Sequence, residues 1–249
     1  MEKLVVESMN INIELNGLIT SIIGPTESGK TYLFKKLINI IPNKDVYIDN
    51  KSISEYEISY LKQNIVMILN DDMYYTSFVV DELSYHLKEL GLSLDSILTI
   101  VYKFIEEFGL SKYKHERLNK IPLSKRIYIK ILSYLIIHPS LIGIDNLLSY
   151  LEKEDKEHII NYIKKNKITL LNVISELDDI VYGDRVLIMN HFKQILYGDN
   201  KIILENNSIL PYMGIRLPFV VDLSQNLMLY KLVNKVYLDK DKLVSKLWK

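Results

Sequence analysis

The chain has no cysteine, which excludes a disulfide framework, a zinc site built on thiolates and a cysteine nucleophile. It also lacks alanine, and lysine greatly outnumbers arginine while isoleucine, asparagine and tyrosine are abundant. That bias reflects codon usage rather than chemistry. Neither sign of charge dominates: Lys and Arg number 31, Asp and Glu 31, and the formal net charge is +0. Nothing electrostatic therefore points to nucleic acid. The apolar stretches are short; Ile131 to Ile137, for example, is flanked by Lys130 and His138, too brief for a bilayer span. No basic region followed by an apolar one opens the chain, so the expected location is cytosolic. What remains is 249 residues, 48% hydrophobic and 25% charged. This is one large or two small globular domains, burying about three-quarters of the unfolded surface.

The chain is organised around Ile22-Ile23-Gly24-Pro25-Thr26-Glu27-Ser28-Gly29-Lys30-Thr31. An apolar run breaks at a glycine, turns through a small polar loop and re-emerges at helical spacing in Leu33, Phe34 and Leu37. That is the strand, loop and helix context of a phosphate-binding loop of the form Gly-x4-Gly-Lys-Thr. Gly24 and Gly29 allow backbone dihedrals that turn amide N–H groups inward, and the helix that follows points its positive dipole end at the same place. Lys30 reaches the β- and γ-phosphates in such a loop, and the Thr31 hydroxyl sits on Mg²⁺. The four fixed positions would match by chance in roughly one chain of this length in a hundred.

On either side the pattern alternates. Leu4-Val5-Val6 and Met9 to Leu15 read as strands closed by an Asn16-Gly17 hairpin signal. Pro42-Asn43 reads as a turn before a short strand at Val46 to Ile48. A buried strand, Ile65 to Leu69, ends in polar Asn70-Asp71-Asp72, a common place for a ligand contact. Helical periodicity dominates from Val79 to about Ser140 and stops at Pro139. Next, Leu141 to Asp145 is an apolar strand ending in a carboxylate, and downstream of a phosphate loop an aspartate there holds Mg²⁺ through water. A helix at Lys153 to Lys165, strands at Ile168 to Ile174 and Arg185 to Met189, and a hairpin through His191-Phe192-Lys193 to Tyr197-Gly198-Asp199 complete the α/β pattern.

This order of phosphate loop, polar strand end, helical insert, Asp145 strand, Ser149-Tyr150-Leu151-Glu152 and the Asp184 to Met189 strand resembles the ATPase domain of ABC transporters, over about residues 1–205. The tail, Leu217-Pro218-Phe219-Val220-Val221-Asp222-Leu223-Ser224 and then Leu243 to Trp248, resembles the small C-terminal extension of energy-coupling factor transporter ATPases. The resemblance implies a P-loop NTPase fold: a mixed sheet, a helical subdomain at about 71–140, and an extension over 206–249. It further implies ATP and Mg²⁺ as ligands and a location on the cytoplasmic face of the membrane. The partners it implies are a second ATPase (a heterodimer), a transmembrane coupling protein and a substrate-binding membrane protein, for import of a vitamin or metal ion. Residues 24–31 (Gly24, Pro25, Thr26, Glu27, Ser28, Gly29, Lys30 and Thr31) with Asn70 and Ser124 then contact nucleotide, and Thr31 and Asp145 hold the metal.

Against that family the chain departs at several positions. Asn146 stands where the family places the glutamate that orients the attacking water, and it cannot accept a proton. General-base assistance is worth roughly 10²- to 10⁴-fold. Ser175 stands at the switch histidine and Asn70, a shorter amide, at the glutamine that senses Mg²⁺. The signature falls in Ile121-Pro122-Leu123-Ser124-Lys125-Arg126 without its two glycines, and Lys125 or Arg126 is a candidate cation toward the γ-phosphate in their place. Glu27 replaces a loop glycine, and no aromatic residue precedes Tyr32 to stack on adenine. Two other readings stand beside the transporter ATPase: a catalytically inactive nucleotide-binding scaffold, and a phosphate-loop kinase. Plainer roles also stand: Ser124 as a helix N-cap, His138 as a helix-end residue, Asp81 and Glu82 as dipole-complementing acids, and Tyr74, Tyr75, Tyr128 and Tyr134 as packing.

Overall fold

The structure is a computed structural model that describes residues 1–38, 41, 44–175, 177–205, 209–212 and 217–248. The turn expected at Pro42-Asn43 lies outside the described residues. Strands β1 (Lys3–Val6) and β2 (Ile11–Glu14) pair antiparallel across a 3₁₀ turn at Glu7–Met9, which ends with Asn10 at φ 50°. Leu4, Val6, Ile11 and Ile13 share the buried face, as period-two alternation requires. Asn16 and Gly17 do adopt turn dihedrals, φ 40° and 71°. They do not close the expected hairpin, because β3 (Ile19–Ile23) enters a different sheet. Turn chemistry fixes local dihedrals and not the next partner. All five residues of β3 are buried, and such a strand takes parallel neighbours on both sides.

After α1 (Lys30–Leu37) come β4 (Val46–Ile48) and β5 (Lys51–Ser52), joined through Asp49 and Asn50 at positive φ. Helix α2 (Ile58–Asn64) then leads into β6 (Ile65–Ile68). Between β6 and β7 (Leu141–Asp145) lie α3 (Val79–Glu89), α4 (Leu94–Glu107) and α5 (Leu123–Leu135). This insert is not helical throughout, since 3₁₀ turns at Ser111–Tyr113 and Leu118–Lys120 and a bridge between Phe78 and Arg117 separate α4 from α5. The remainder is α6 (Lys153–Lys165), β8 (Thr169–Val173), β9 (Arg185–Asn190), β10 (Lys193–Asp199), α7 (Asn200–Glu205), α8 (Ile209–Tyr212), α9 (Phe219–Leu229) and α10 (Lys240–Leu247).

The large sheet runs β10-β9-β3-β8-β7-β6, with β10 alone antiparallel to its neighbour, and a small antiparallel sheet runs β2-β1-β4-β5. One core joins a face of the large sheet to the helical insert through Ile68, Ile142, Val101, Leu132 and Ile159. A second joins the opposite face to α1 and the small sheet through Ile22, Phe34, Val6 and Ile48. Gly143 is required there, because a Cβ on it would lie 2.2 Å from Met67 Sδ and 2.9 Å from Phe34 Cζ. A third core packs Val221 and Leu210 against Ile23, Ile174 and Ile188, so the C-terminal segment is anchored beside the strand ends that carry the loop. Parallel strands β3, β8, β7 and β6 bring their carboxyl ends to one edge, where open α/β sheets hold ligands.

Candidate functional site

The loop after β3 is built by two glycines with positive φ, Gly24 (158°) and Gly29 (99°), with Glu27 at φ 62° between them. Gly24 admits no side chain, since a Cβ would stand 2.2 Å from Met189 O. Gly29 is the N-cap of α1, so the free N–H groups of that helix point into the loop. Lys30 curls back, its Nζ donating to Gly24 O (2.8 Å), Pro25 O (2.7 Å) and Ser28 Oγ (3.0 Å). Burial lowers the Lys30 pKa, and the nearby Asp145 carboxylate opposes that shift in part. A polyphosphate fits here because it offers Lys30 oxygen acceptors in exchange for the loop's own carbonyls, with full charge in place of dipoles.

Thr31, one residue further, donates its hydroxyl to Asp145 Oδ2 at 2.6 Å. Asp145 ends the fully buried β7, and burial raises its pKa against the Thr31 hydrogen bond and the Lys30 charge. Two hard oxygens in contact at a phosphate loop suit Mg²⁺, which keeps several waters and takes few protein ligands. Asn146 follows at φ 55°. Its Oδ1 accepts from Ser175 Oγ (2.8 Å) and from Ser175 N (3.2 Å), and its own N–H donates to Val173 O at 3.0 Å. Ser149 Oγ in turn donates to Asn146 O at 2.9 Å. The residues at the catalytic-glutamate and switch-histidine positions are thus bonded to each other.

These residues line one cavity of about 1110 Å³ that holds Gly24, Pro25, Thr26, Glu27, Lys30, Thr31, Asn70, Asp145, Asn146 and Ser175. Asn70 lies on an exposed turn whose base is pinned by the buried Lys130, which donates to Asp71 Oδ1 at 2.6 Å and Asp71 O at 2.9 Å. Ser124 is apart from this cavity. It is not an N-cap either, because Pro122 occupies that position and Ser124 falls within the first turn of α5 without a capping bond. Proline before the helix supplies the extended dihedral that a serine cap would otherwise hold. Lys125 is drawn away to α6, donating to Asp155 Oδ1 at 2.6 Å, so it is not a free cation for phosphate. Glu82 is buried and accepts from Thr76 N (2.8 Å) and Tyr75 N (3.3 Å). It therefore ties down the loop before α3 in addition to standing in a first helical turn. Tyr128 is fully buried, and Tyr134 stands 4.2 Å from His86, as packing residues do. His138 closes a helix end with Tyr162 Oη within 3.3 Å.

Sequence reasoning missed one part of the cavity. Leu217, Pro218 and Phe219 line it too, and Phe219 is 70% exposed at the start of α9. No local pattern carries that contact. The signal that exists is the apolar pair around Pro218, which here places the chain across the strand ends at Ile23 and Ile174.

A parallel sheet with a phosphate loop after its central strand, and a loop threonine bonded to the aspartate that ends a nearby strand, defines a phosphate-loop nucleotide-binding protein. The helical insert between β6 and β7 gives it the ATP-binding cassette architecture. The chain belongs to the ABC transporter family, whose sequence profile matches residues 6–149. It is 26% identical over 241 residues to an energy-coupling factor transporter ATP-binding protein, EcfA1 of Mycoplasma mobile, covering 94% of this chain and 86% of that one. A protein of the same name from Listeria innocua is 23% identical over 257 aligned positions, with 100% and 92% covered. Among solved structures, cbiO1 from Clostridium perfringens, described as part of the ABC transporter complex cbiONQ, superposes with a TM-score of 0.72 at 21% identity, covering 90% of this chain and 100% of that one. A nucleotide-free ATP-binding cassette from an ABC transporter gives 0.71 at 21% identity, with 87% and 100% covered. At that identity the structures show the fold alone. Among the described residues no helix is long and apolar enough to cross a membrane.

Proposed function

We propose that this chain is a nucleotide-binding subunit of an energy-coupling factor type importer, which binds MgATP and turns it over slowly by itself. In this reading residues 1–205 are the ATP-binding domain, with the helical subdomain at about 71–140, and residues 206–249 are the C-terminal extension. The chain sits peripherally on the cytoplasmic face of the membrane. It pairs with a second ATPase and with a transmembrane coupling subunit and a substrate-binding membrane subunit, and the transported solute is a vitamin or metal ion. The names of the relatives, matched over nearly the whole chain, support the assembly.

The observation that carries slow turnover is the bond from Ser175 to Asn146 Oδ1 at 2.8 Å. An amide has no basic oxygen with which to take a proton from water, and a serine brings no cationic donor to a γ-phosphate. The rest of the site is fitted to hold phosphates. Backbone N–H groups of residues 26–31 and the Lys30 ammonium grip the β- and γ-phosphates, and Thr31 and Asp145 orient the metal. When bound there, Mg²⁺ would supply positive charge to offset the negative charge that develops on the phosphates. Asn70 approaches the γ-phosphate from β6, and Ser124 meets the nucleotide of the partner across a sandwich dimer. The same observation supports a second reading, a scaffold or regulator that binds nucleotide and does not hydrolyse it. Calorimetry with MgATP, followed by steady-state ATPase assays with and without the co-purified partner, separates them. Turnover that needs both this chain's Lys30 and the partner supports the transporter subunit, and turnover indifferent to Lys30 supports the scaffold.

A further inference from the structure

Phosphate-side chemistry in this protein lies on one flank of β3. Asp145 and Asn146 follow β7, Ser175 follows β8 and Asn70 follows β6, all to the same side in the order β10-β9-β3-β8-β7-β6. A nucleoside triphosphate is a linear chain. With its γ-phosphate and metal on that flank, its nucleoside end leaves the loop on the other, where the sheet continues as β9 and β10. The tip of that hairpin is His191-Phe192.

The tip is built against local preference. Lys193 pairs with Asn190, so the loop has two residues, and His191 and Phe192 stand at φ 45° and 60°. Two-residue loops with both residues at positive φ favour Asn-Gly or Asp-Gly, and a bulky residue there is an outlier. Burial in a core does not account for it, since Phe192 is 47% exposed. Strain of this kind persists where surrounding structure holds it, and it gathers at ligand sites. Here the phosphate loop itself does the holding. Phe192 N–H donates to Ser28 O at 3.0 Å, a Cβ on Gly29 would meet Phe192 Cδ1 at 2.9 Å, and the Tyr32 ring meets the Phe192 ring edge to face at 5.3 Å and 84°. An exposed aromatic ring is thus fixed at the lip of the loop, braced by the first turn of α1, on the side of β3 opposite Asp145, Ser175 and Asn70.

We propose that Phe192 is the stacking platform for the nucleotide base, supplying from the β9–β10 hairpin the aromatic contact that no residue before Tyr32 supplies. The proposal rests on the nucleotide-binding reading above. Stacking on one ring is tolerant of base identity because every base has a π-face, so ATP and GTP gain alike and bare polyphosphate gains nothing.

The test is titration calorimetry of the full chain with MgATP, MgGTP and magnesium tripolyphosphate, on the parent, Phe192→Ala, Phe192→Gly and Phe192→Tyr. The glycine variant removes the ring and the strained side chain together, which protects the experiment from a folding defect. Both ring deletions are expected to lose roughly 5- to 150-fold in affinity for ATP and GTP, the value of one stacked base. Tripolyphosphate affinity is expected to stay at the parent value, and Phe192→Tyr is expected to retain nucleotide binding. Unchanged ATP affinity in Phe192→Gly overturns the proposal. So does an equal loss for ATP and tripolyphosphate, which would make the ring a prop for the loop. A parent that binds neither ATP nor tripolyphosphate overturns the nucleotide-binding reading itself, and the stacking proposal with it. A parent that binds both equally overturns stacking alone.

Discussion

The loop after β3 and the strand ends of β7 and β8 meet in one cavity, yet they are built differently. In the loop, Lys30 donates to acceptors that a phosphate replaces, the carbonyls of Gly24 and Pro25 and the Ser28 hydroxyl. At the strand ends, Asn146 and Ser175 satisfy each other, with Ser149 bonded behind them. The first region keeps its charge poised and its bonds exchangeable, and in the second an amide and a hydroxyl are bonded to each other. On the proposed reading, gripping a nucleotide and activating water are separable properties of this fold, and this chain is fitted for the former.

The largest expected effect is at the loop. Lys30→Ala removes the full positive charge that the loop itself turns on phosphate, and measurable MgATP binding by calorimetry should vanish. Retained binding would place the affinity in the strand ends and break the comparison.

The second effect concerns turnover. Asn146→Glu alone should leave ATPase activity within about tenfold of the parent, because Ser175 still provides no cationic donor. Adding Ser175→His should raise kcat further, within the roughly 10²- to 10⁴-fold that acid–base assistance supplies. Full activity from the single substitution would show that Ser175 is not limiting.

The third concerns packing beneath the loop. Gly143→Ala puts a methyl group into Met67 and Phe34, the contacts that seat α1 on β7. Overpacking of this kind costs about 1–3 kcal/mol, to be read as a fall in Tm, with nucleotide affinity weakened because α1 carries Lys30 and Thr31. An unchanged Tm would mean that the seat of α1 is loose.

The smallest effect is on pH dependence. Burial raises the Asp145 pKa above its ordinary 3.8, so the ionised carboxylate disfavours the folded state at neutral pH, and that cost disappears as the group protonates. Asp145→Asn should accordingly be at least as stable as the parent at pH 7 without ligand, with the difference fading as pH falls through the raised value toward 3.8. The same variant should lose Mg²⁺-dependent tightening of ATP binding. Thermal melts at several pH values check the first claim, and a stability gap that grows in acid would contradict it.

Much of the loop's geometry is legible in the sequence because it is local. Gly24, Gly29, Lys30 and Thr31 sit within eight positions of a strand-to-helix break, and Asp145 ends an unbroken apolar run. What the sequence hides is contact between distant segments. Asn16-Gly17 has the dihedrals of a hairpin turn whether the chain folds back or crosses to another sheet. Lys125 sits 30 positions from the Asp155 that claims it, and charge patterning along one helix cannot reveal that. Ser124 reads as a cap only until Pro122 is seen to occupy the position. Leu217 to Phe219 reach the cavity because Val221 packs against Ile23 and Ile174, a contact set by the third core and by no motif. Deleting residues from Leu210 onward removes that packing. It should weaken pairing with the second ATPase in analytical ultracentrifugation and lower Tm as well, since Leu210 and Val221 are fully buried.

The contrast between the two regions comes to its most direct test in one preparation of the purified chain, followed by rapid mixing with radiolabelled MgATP in excess of protein. Bound ATP at close to one equivalent with very slow release of labelled phosphate is the expected result, and addition of a partner ATPase carrying its own glutamate and histidine should supply most of the turnover. Brisk phosphate release from the single chain, abolished in Lys30→Ala, would contradict the account.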